Sequence, residues 1–139
     1  MKIKVEAIIN SDIDQVWKAW NTPDDINCWN AASDDWHNPK SRLDLKPGGT
    51  FSYRMEARDG SMGFDFEGTY SKVIEKNLIE YYMADGREVS AQFIQLEGSV
   101  KVVEEFDAET ENDPELQRQG WQSILDNFKR HVELKSGKK

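Results

Sequence analysis

Gly120-Trp121-Gln122-Ser123-Ile124-Leu125-Asp126-Asn127-Phe128 is the stretch on which the reading of this chain turns. Trp121, Ile124, Leu125, Phe128 and Val132 fall at i, i+3, i+4, i+7 and i+11. A helix through them therefore carries one apolar stripe, with Gln122, Asp126, Lys129 and Arg130 opposite. Asp113 offers an N-cap and Pro114 a first helical residue, after an acidic linker over residues 107–112. The segments before it read as hairpins, so this long helix has a sheet to dock on. Gly120 leaves no side chain beside Trp121, which marks that end of the stripe for an opening.

The sheet is read from its turns. A two-residue type I′ turn at Asp59-Gly60 sets Met55 opposite Phe64, Tyr53 opposite Phe66, Phe51 opposite Gly68, and Arg54 opposite Asp65. One face is then aromatic and the other ionic, and a one-residue slip would drive Arg54 among the rings. Gly48-Gly49, after Pro47, turns the chain into this hairpin. Asp85-Gly86 joins residues 78–83 to 88–95, and Glu97-Gly98 joins these to 100–106. With two-residue turns, Tyr82 pairs with Val89, Glu80 with Ala91 and Leu78 with Phe93, then Phe93 with Val102 and Ala91 with Glu104. Glu80 and Glu104 would then flank Ala91 on one face. Ile79, Tyr81 and Met83 form an equally apolar opposite face, and a single bulge reverses which of the two points inward.

At the N-terminus Ile3, Val5, Ala7 and Ile9 alternate as a strand. Ser11 or Asp12 caps a helix carrying Ile13, Val16, Trp17 and Trp20, and Thr22-Pro23 starts a second short helix to about residue 28. Residues 29–39, WNAASDDWHNP, follow neither period and read as an irregular loop.

A chain of 139 residues is one domain's worth, spanning 1–139, and buries roughly two-thirds of its unfolded surface. The first two residues and the tail 135–139 have no apolar anchor and are expected to lack order. A formal charge of −8 with dispersed lysines argues against nucleic-acid binding. No apolar run reaches the roughly 18 residues of a membrane span, and the N-terminus lacks a signal-peptide core, so a cytoplasmic location is expected. Cys28 stands alone, which excludes an intrachain disulfide, and reads as a small buried hydrophobe beside Trp29. Two distant histidines and one cysteine offer no metal spacing, and no metal or cofactor is expected.

Several short patterns together resemble a known superfamily. They are Val16-Trp17-x-x-Trp20, Ile26-x-x-Trp29, Gly48-Gly49-x-Phe51, Asp59-Gly60, Gly68-x-Tyr70, Glu104-x-Phe106-Asp107 and Gly120-Trp121-x-x-Ile124-Leu125-x-x-Phe128. The chain resembles the SRPBCC superfamily of helix-grip proteins, which includes START lipid-transfer domains, birch-pollen-allergen-like proteins and polyketide cyclases. It is most similar to the bacterial AHSA-type group, named after the activator of the heat-shock chaperone ATPase. The resemblance implies an α+β helix-grip fold: a curved antiparallel sheet wrapped around a long C-terminal helix, with two short helices after the first strand. It also implies a cavity between helix and sheet, in which members bind lipids, polyketides or flavonoid-like aromatics and some catalyse cyclisation. The eukaryotic activators carry a further chaperone-binding domain, for which 139 residues leave no room.

Three readings of function follow. The first is binding of a small hydrophobic ligand, aromatic, polyketide-like or lipid-like. Its candidate contacts are Trp29, Trp36, His37, Phe51, Tyr53 and Met55, with Phe64, Phe66, Glu104, Trp121 and Leu125. The second is a cyclase- or hydrolase-type enzyme using Glu104 in the cavity as acid/base, alone or joined by His37 in one shared void. The third is a chaperone contact through the acidic surface. Glu104 also has a plain reading, as a glutamate paired with Arg42, Arg54 or Arg87 on neighbouring strands, and His131 one at the C-terminal end of the last helix dipole. Asp34 and Asp35 read as turn caps. A monomer or weak homodimer is expected, without nucleic-acid or membrane partners.

Overall fold

The computed structural model describes residues 1–137. The alternation at the N-terminus makes β1 (Lys2–Ile9), and Asp12, whose side chain accepts from Gln15 N, caps α1 (Ile13–Asn21). Pro23 opens α2 (Pro23–Trp29). The strands are β2 (Trp36–Leu43), β3 (Thr50–Ala57), β4 (Gly63–Ile74), β5 (Leu78–Met83), β6 (Glu88–Leu96) and β7 (Ser99–Asp107). Asp113 and Pro114 begin α3 (Pro114–Lys135).

The seven strands form one antiparallel sheet in the order β1-β7-β6-β5-β4-β3-β2. β2 to β7 are a meander, and β1 returns beside β7, so α1 and α2 carry the chain from one edge of the sheet to the other. The sheet curves around α3. Leu125, Phe128 and Val132 on the stripe are fully buried against Val5, Phe93 and Val102. Trp20 and Trp29 present their rings edge-on to Phe128, each with centroids 4.9 Å away.

The β3–β4 register is as expected, with Met55 opposite Phe64, Tyr53 opposite Phe66 and Arg54 opposite Asp65. The turn itself is longer. Ala57 N donates to Met62 O and Gly60 N to Ala57 O, each at 2.9 Å, leaving four residues in the loop. Adding one residue on each side of Asp59-Gly60 keeps the register.

The β5–β6 register differs by one residue from the expected one: Ile79 pairs with Ala91, Glu80 with Ser90 and Tyr81 with Val89. Met83 N bonds Arg87 O and Gly86 N bonds Met83 O, so the loop holds three residues, Ala84, Asp85 and Gly86. Gly86 takes φ of 90°, the left-handed position that closes a three-residue hairpin. The odd loop length flips the strand, turning Ile79, Tyr81 and Met83 inward and Glu80 outward. β6 and β7 pair as expected, Ala91 with Glu104.

Part of the expected loop over residues 29–39 is strand β2, which pairs with β3 through a bulge between His37 and Lys40. Pro39 brings no N–H to the ladder, and the period-two signal is lost at the bulge. The buried Asn38 stabilises it: its amide donates to Lys40 O and Ser41 Oγ and accepts from Asn30. Cys28 is exposed rather than buried, since α2 turns it away from Ile26 and Trp29.

Three polar contacts tie α2 and its following loop to α3. Asn127 donates to Ala31 O at 2.6 Å, and Asp25 receives Lys135 Nζ at 2.6 Å and faces His131 Nε2 at 2.9 Å. His131 thus pairs across to α2 rather than serving the helix end alone. Lys135 is the last residue of α3, and residues 138 and 139 of the tail lie outside the described residues. Burial would raise the Asp25 pKa, but the hydrogen bonds from Lys135 and His131 outweigh it and hold the carboxyl below its ordinary value. A depressed carboxylate stabilises the fold above its unfolded value, and that contribution is lost as pH falls through the folded one. Asp25→Asn is expected to lower stability by about 1–2 kcal/mol in urea melts at pH 7, with the gap to the native protein closing in acid below the ordinary Asp range.

Candidate functional site

Between α3 and the concave sheet lies a cavity of about 250 Å³. Strand alternation builds its sheet side: Phe51, Tyr53 and Met55 from β3, Phe64, Phe66 and Tyr70 from β4, Ile79 and Tyr81 from β5. Trp121 and Ile124 cover it from α3, while Trp20, Trp29 and Asn30 close it from α1 and the end of α2. Gly68 is opposite Phe51 because a Cβ there would stand 2.6 Å from that ring. Tyr53 and Phe66 stack nearly parallel at 6.4 Å, and Trp121 lies flat on Phe106 with centroids 3.9 Å apart.

Eight of the candidate contacts come together on this wall. Trp29, Phe51, Tyr53, Met55, Phe64 and Phe66 line it, as do Glu104 and Trp121. Phe64 is the exposed member, at 49%, and its ring meets Trp36 at 5.9 Å. Trp36 therefore stands at the rim instead of on the wall. His37 is not in the cavity. It is opposite Glu56 in the ladder, with Nε2 3.7 Å from Glu56 Oε1, on the face that also carries Arg54. Leu125 is fully buried in the packed core below the void, because it sits one residue round the helix from Ile124. Gly120 borders open space, with no atom within 4 Å of a Cβ built there.

Other wall residues were not among the expected contacts. Tyr81 and Ile79 enter through the shifted β5 register. Their apolar alternation was the available signal. Asn30 enters because the hydrogen bond to Asn38 turns its amide toward Met55, and nothing in the residue order announces that.

Glu104 sits on β7 between the inward Val102 and Phe106, flanked by Ala91 and Val5. It is 7% exposed. The arginines that offered a pairing are engaged elsewhere: Arg54 with Glu56 and Asp65, Arg87 with Asp85, and Arg42 with Thr50. Burial alone pushes the carboxyl from 4.5 up to about 8, with neither a hydrogen bond nor a cation to offset it. Among the described residues, no fully enclosed side-chain oxygen or nitrogen lacks a partner. The unbonded Glu104 oxygens are therefore turned to the void. Burial, then the negative charge of Glu104, raises the Tyr81 phenol, and burial also lifts Tyr53 well above its usual range and Tyr70 to about 12. These phenols stay neutral wherever Glu104 titrates. Among the described residues, no three His, Cys, Asp or Glu side chains are arranged to hold a metal ion, and no helix is long and apolar enough to cross a membrane.

A folded Glu104 titrating near 8 keeps a proton that the unfolded chain releases near 4.5. Stability therefore falls as pH rises between those values, by up to about 1.4 kcal/mol per pH unit, and levels above them. Glu104→Gln is expected to flatten this slope and to raise stability at pH 7 by about 1–3 kcal/mol, after allowing for burial of the amide. Denaturant melts of both proteins from pH 5 to 8.5 check this.

A family model described as Activator of Hsp90 ATPase homolog 1-like protein matches residues 10–133. The solution structure of the AHSA1-like protein from Aeromonas hydrophila is similar with a TM-score of 0.91 at 53% identity, over 97% of this chain and 94% of that one. Chr148 from Cytophaga hutchinsonii is similar at 47% identity with a TM-score of 0.84, over 96% and 93% of the two chains. NE0264 from Nitrosomonas europaea shares the fold at 14% identity, with a TM-score of 0.84 over 99% and 97%. Comparison with curated proteins gave no match. With its helix-grip fold and a family match over most of its length, the chain belongs to the AHSA1-like family of the SRPBCC superfamily.

Proposed function

We propose that this protein binds a small, largely apolar molecule in the cavity between α3 and the sheet. The observation that carries this is the void itself, about 250 Å³, walled by aromatic rings around a single carboxyl group. Packed interiors do not leave such space without consequence, because unfilled volume forfeits dispersion contacts. The volume is just under the roughly 300–1,000 Å³ of sites for drug-sized ligands, which favours a molecule of one or two rings or a short acyl chain. The exposed Phe64, with Trp36 against it, marks the mouth.

A Glu104–His37 acid–base pair is not assembled, since Glu104 faces the void and His37 the opposite side of the sheet. The chaperone contact rests on the family's description and on the charge of −8. It requires a rise in the chaperone's ATPase rate when this protein is added, independent of the cavity.

Trp20, Trp29 and Trp121 line the void and report on its contents. Titration with single- and fused-ring aromatics is expected to give a saturable change in tryptophan fluorescence, with amide shifts confined to β3, β4, β5 and α3. Ile124→Trp, which puts a large ring into the void, is expected to abolish the response while the fold is retained by circular dichroism. Silence across a broad apolar library would overturn the reading.

A further inference from the structure

The polar side of the cavity is chemically one-sided. Among the described residues, Glu104 is the only charged type of residue on the wall, and no Lys, Arg or His joins it. Its carboxyl is more than nine-tenths buried, makes no hydrogen bond and points to the void. Among the other elements facing it, β3, β4 and β5 bring the phenols of Tyr53, Tyr70 and Tyr81, β1 and β6 bring Val5 and Ala91, and α1, α2 and α3 bring no titratable group. Tyr53 and Tyr81 line the same cavity as Glu104.

On the reading that the cavity holds a small apolar ligand, we propose that this ligand is an organic amine, whose ammonium group is held by Glu104 beside the Tyr53 and Tyr81 rings and whose apolar part lies among Phe51, Phe66 and Trp121. An ammonium has three donors and no acceptor. The carboxylate and the phenol oxygens supply acceptors, and ring faces attract a desolvated cation. An anionic ligand would meet an acid and no base. The protein's charge of −8 attracts cations from solution and repels anions.

The proton balance makes the assignment testable. At pH 7 the empty cavity holds Glu104 as the neutral acid, because its carboxyl titrates near 8. An incoming ammonium ion displaces that proton to the buffer, leaving a carboxylate–ammonium pair. No other group on the wall titrates in this range, so the proton released per ligand comes from Glu104. A neutral alcohol or ketone accepts or donates a hydrogen bond at the carboxylic acid and releases nothing.

The experiment uses isothermal calorimetry at pH 7 in phosphate and in Tris, whose ionisation heats differ. The probes are phenethylamine, its neutral counterpart phenethyl alcohol and the anion hydrocinnamate. The expected result is binding of phenethylamine at least about tenfold tighter than of phenethyl alcohol, with close to one proton released and affinity rising from pH 6 to 8. Glu104→Gln is expected to remove the proton release and to bring the amine down to the level of the alcohol. Equal or tighter binding of the alcohol or the anion, without proton release, would overturn the amine while leaving the cavity as a ligand site. If none of the probes binds and the aromatic library is also silent, both readings fall.

Discussion

Everything in this protein depends on how the stripe of α3 meets the curved sheet. The stripe is not uniform along its length. At its C-terminal half Leu125, Phe128 and Val132 interlock with β-branched residues of β1 and β7 and with two tryptophan edges, and the packing is complete. At its N-terminal half Trp121 and Ile124 face Phe51, Tyr53 and Phe66. Flat rings on both sides cannot interdigitate as aliphatic chains do, and Trp121 is drawn aside to stack on Phe106. The cavity is what remains. Helix docking and the cavity are two halves of one interface.

Glu104 shows what that arrangement asks of the fold. Its strand position is dictated by alternation, since Val102 and Phe106 must face inward and Glu104 lies between them in the same phase. A valine there would join the core. The glutamate instead holds an unpaired acid in a buried site, which destabilises the folded state at neutral pH. Asp25 is the contrast. It is equally buried, yet Lys135 and His131 satisfy it, and its role is to hold α2 against α3. One buried carboxyl secures the scaffold, and the other is left open to the void.

Turn length explains where the reading of strands succeeded and where it failed. The Asp59-Gly60 loop is two residues longer than expected, but symmetrically so, and every β3–β4 pair is in place. The Asp85-Gly86 loop is longer by one, and the whole of β5 is reversed, bringing Tyr81 into the cavity and sending Glu80 out. Both dipeptides look alike in sequence. What separates them is whether the alternation on each flank tolerates the other phase. Arg54 and Asp65 forbid it in β3–β4, whereas β5 is apolar on both faces and permits it. The β2 bulge at Asn38 and Pro39 hid that strand, and with it the outward placement of His37.

The residue order by itself determined the elements with strong period or punctuation: the α3 stripe, the capped helices, the β3–β4 and β6–β7 registers, and the inward phase of Glu104. These rest on interactions between near neighbours, which periodicity records. Only the tertiary structure decided the β5 phase, the siting of Trp36 and His37 outside the wall, the Asn30–Asn38 contact and the absence of an arginine beside Glu104. Each of these depends on loop closure or on which distant side chain reaches a given point first. Such outcomes are set by the packing of the whole chain, and the local pattern leaves them open.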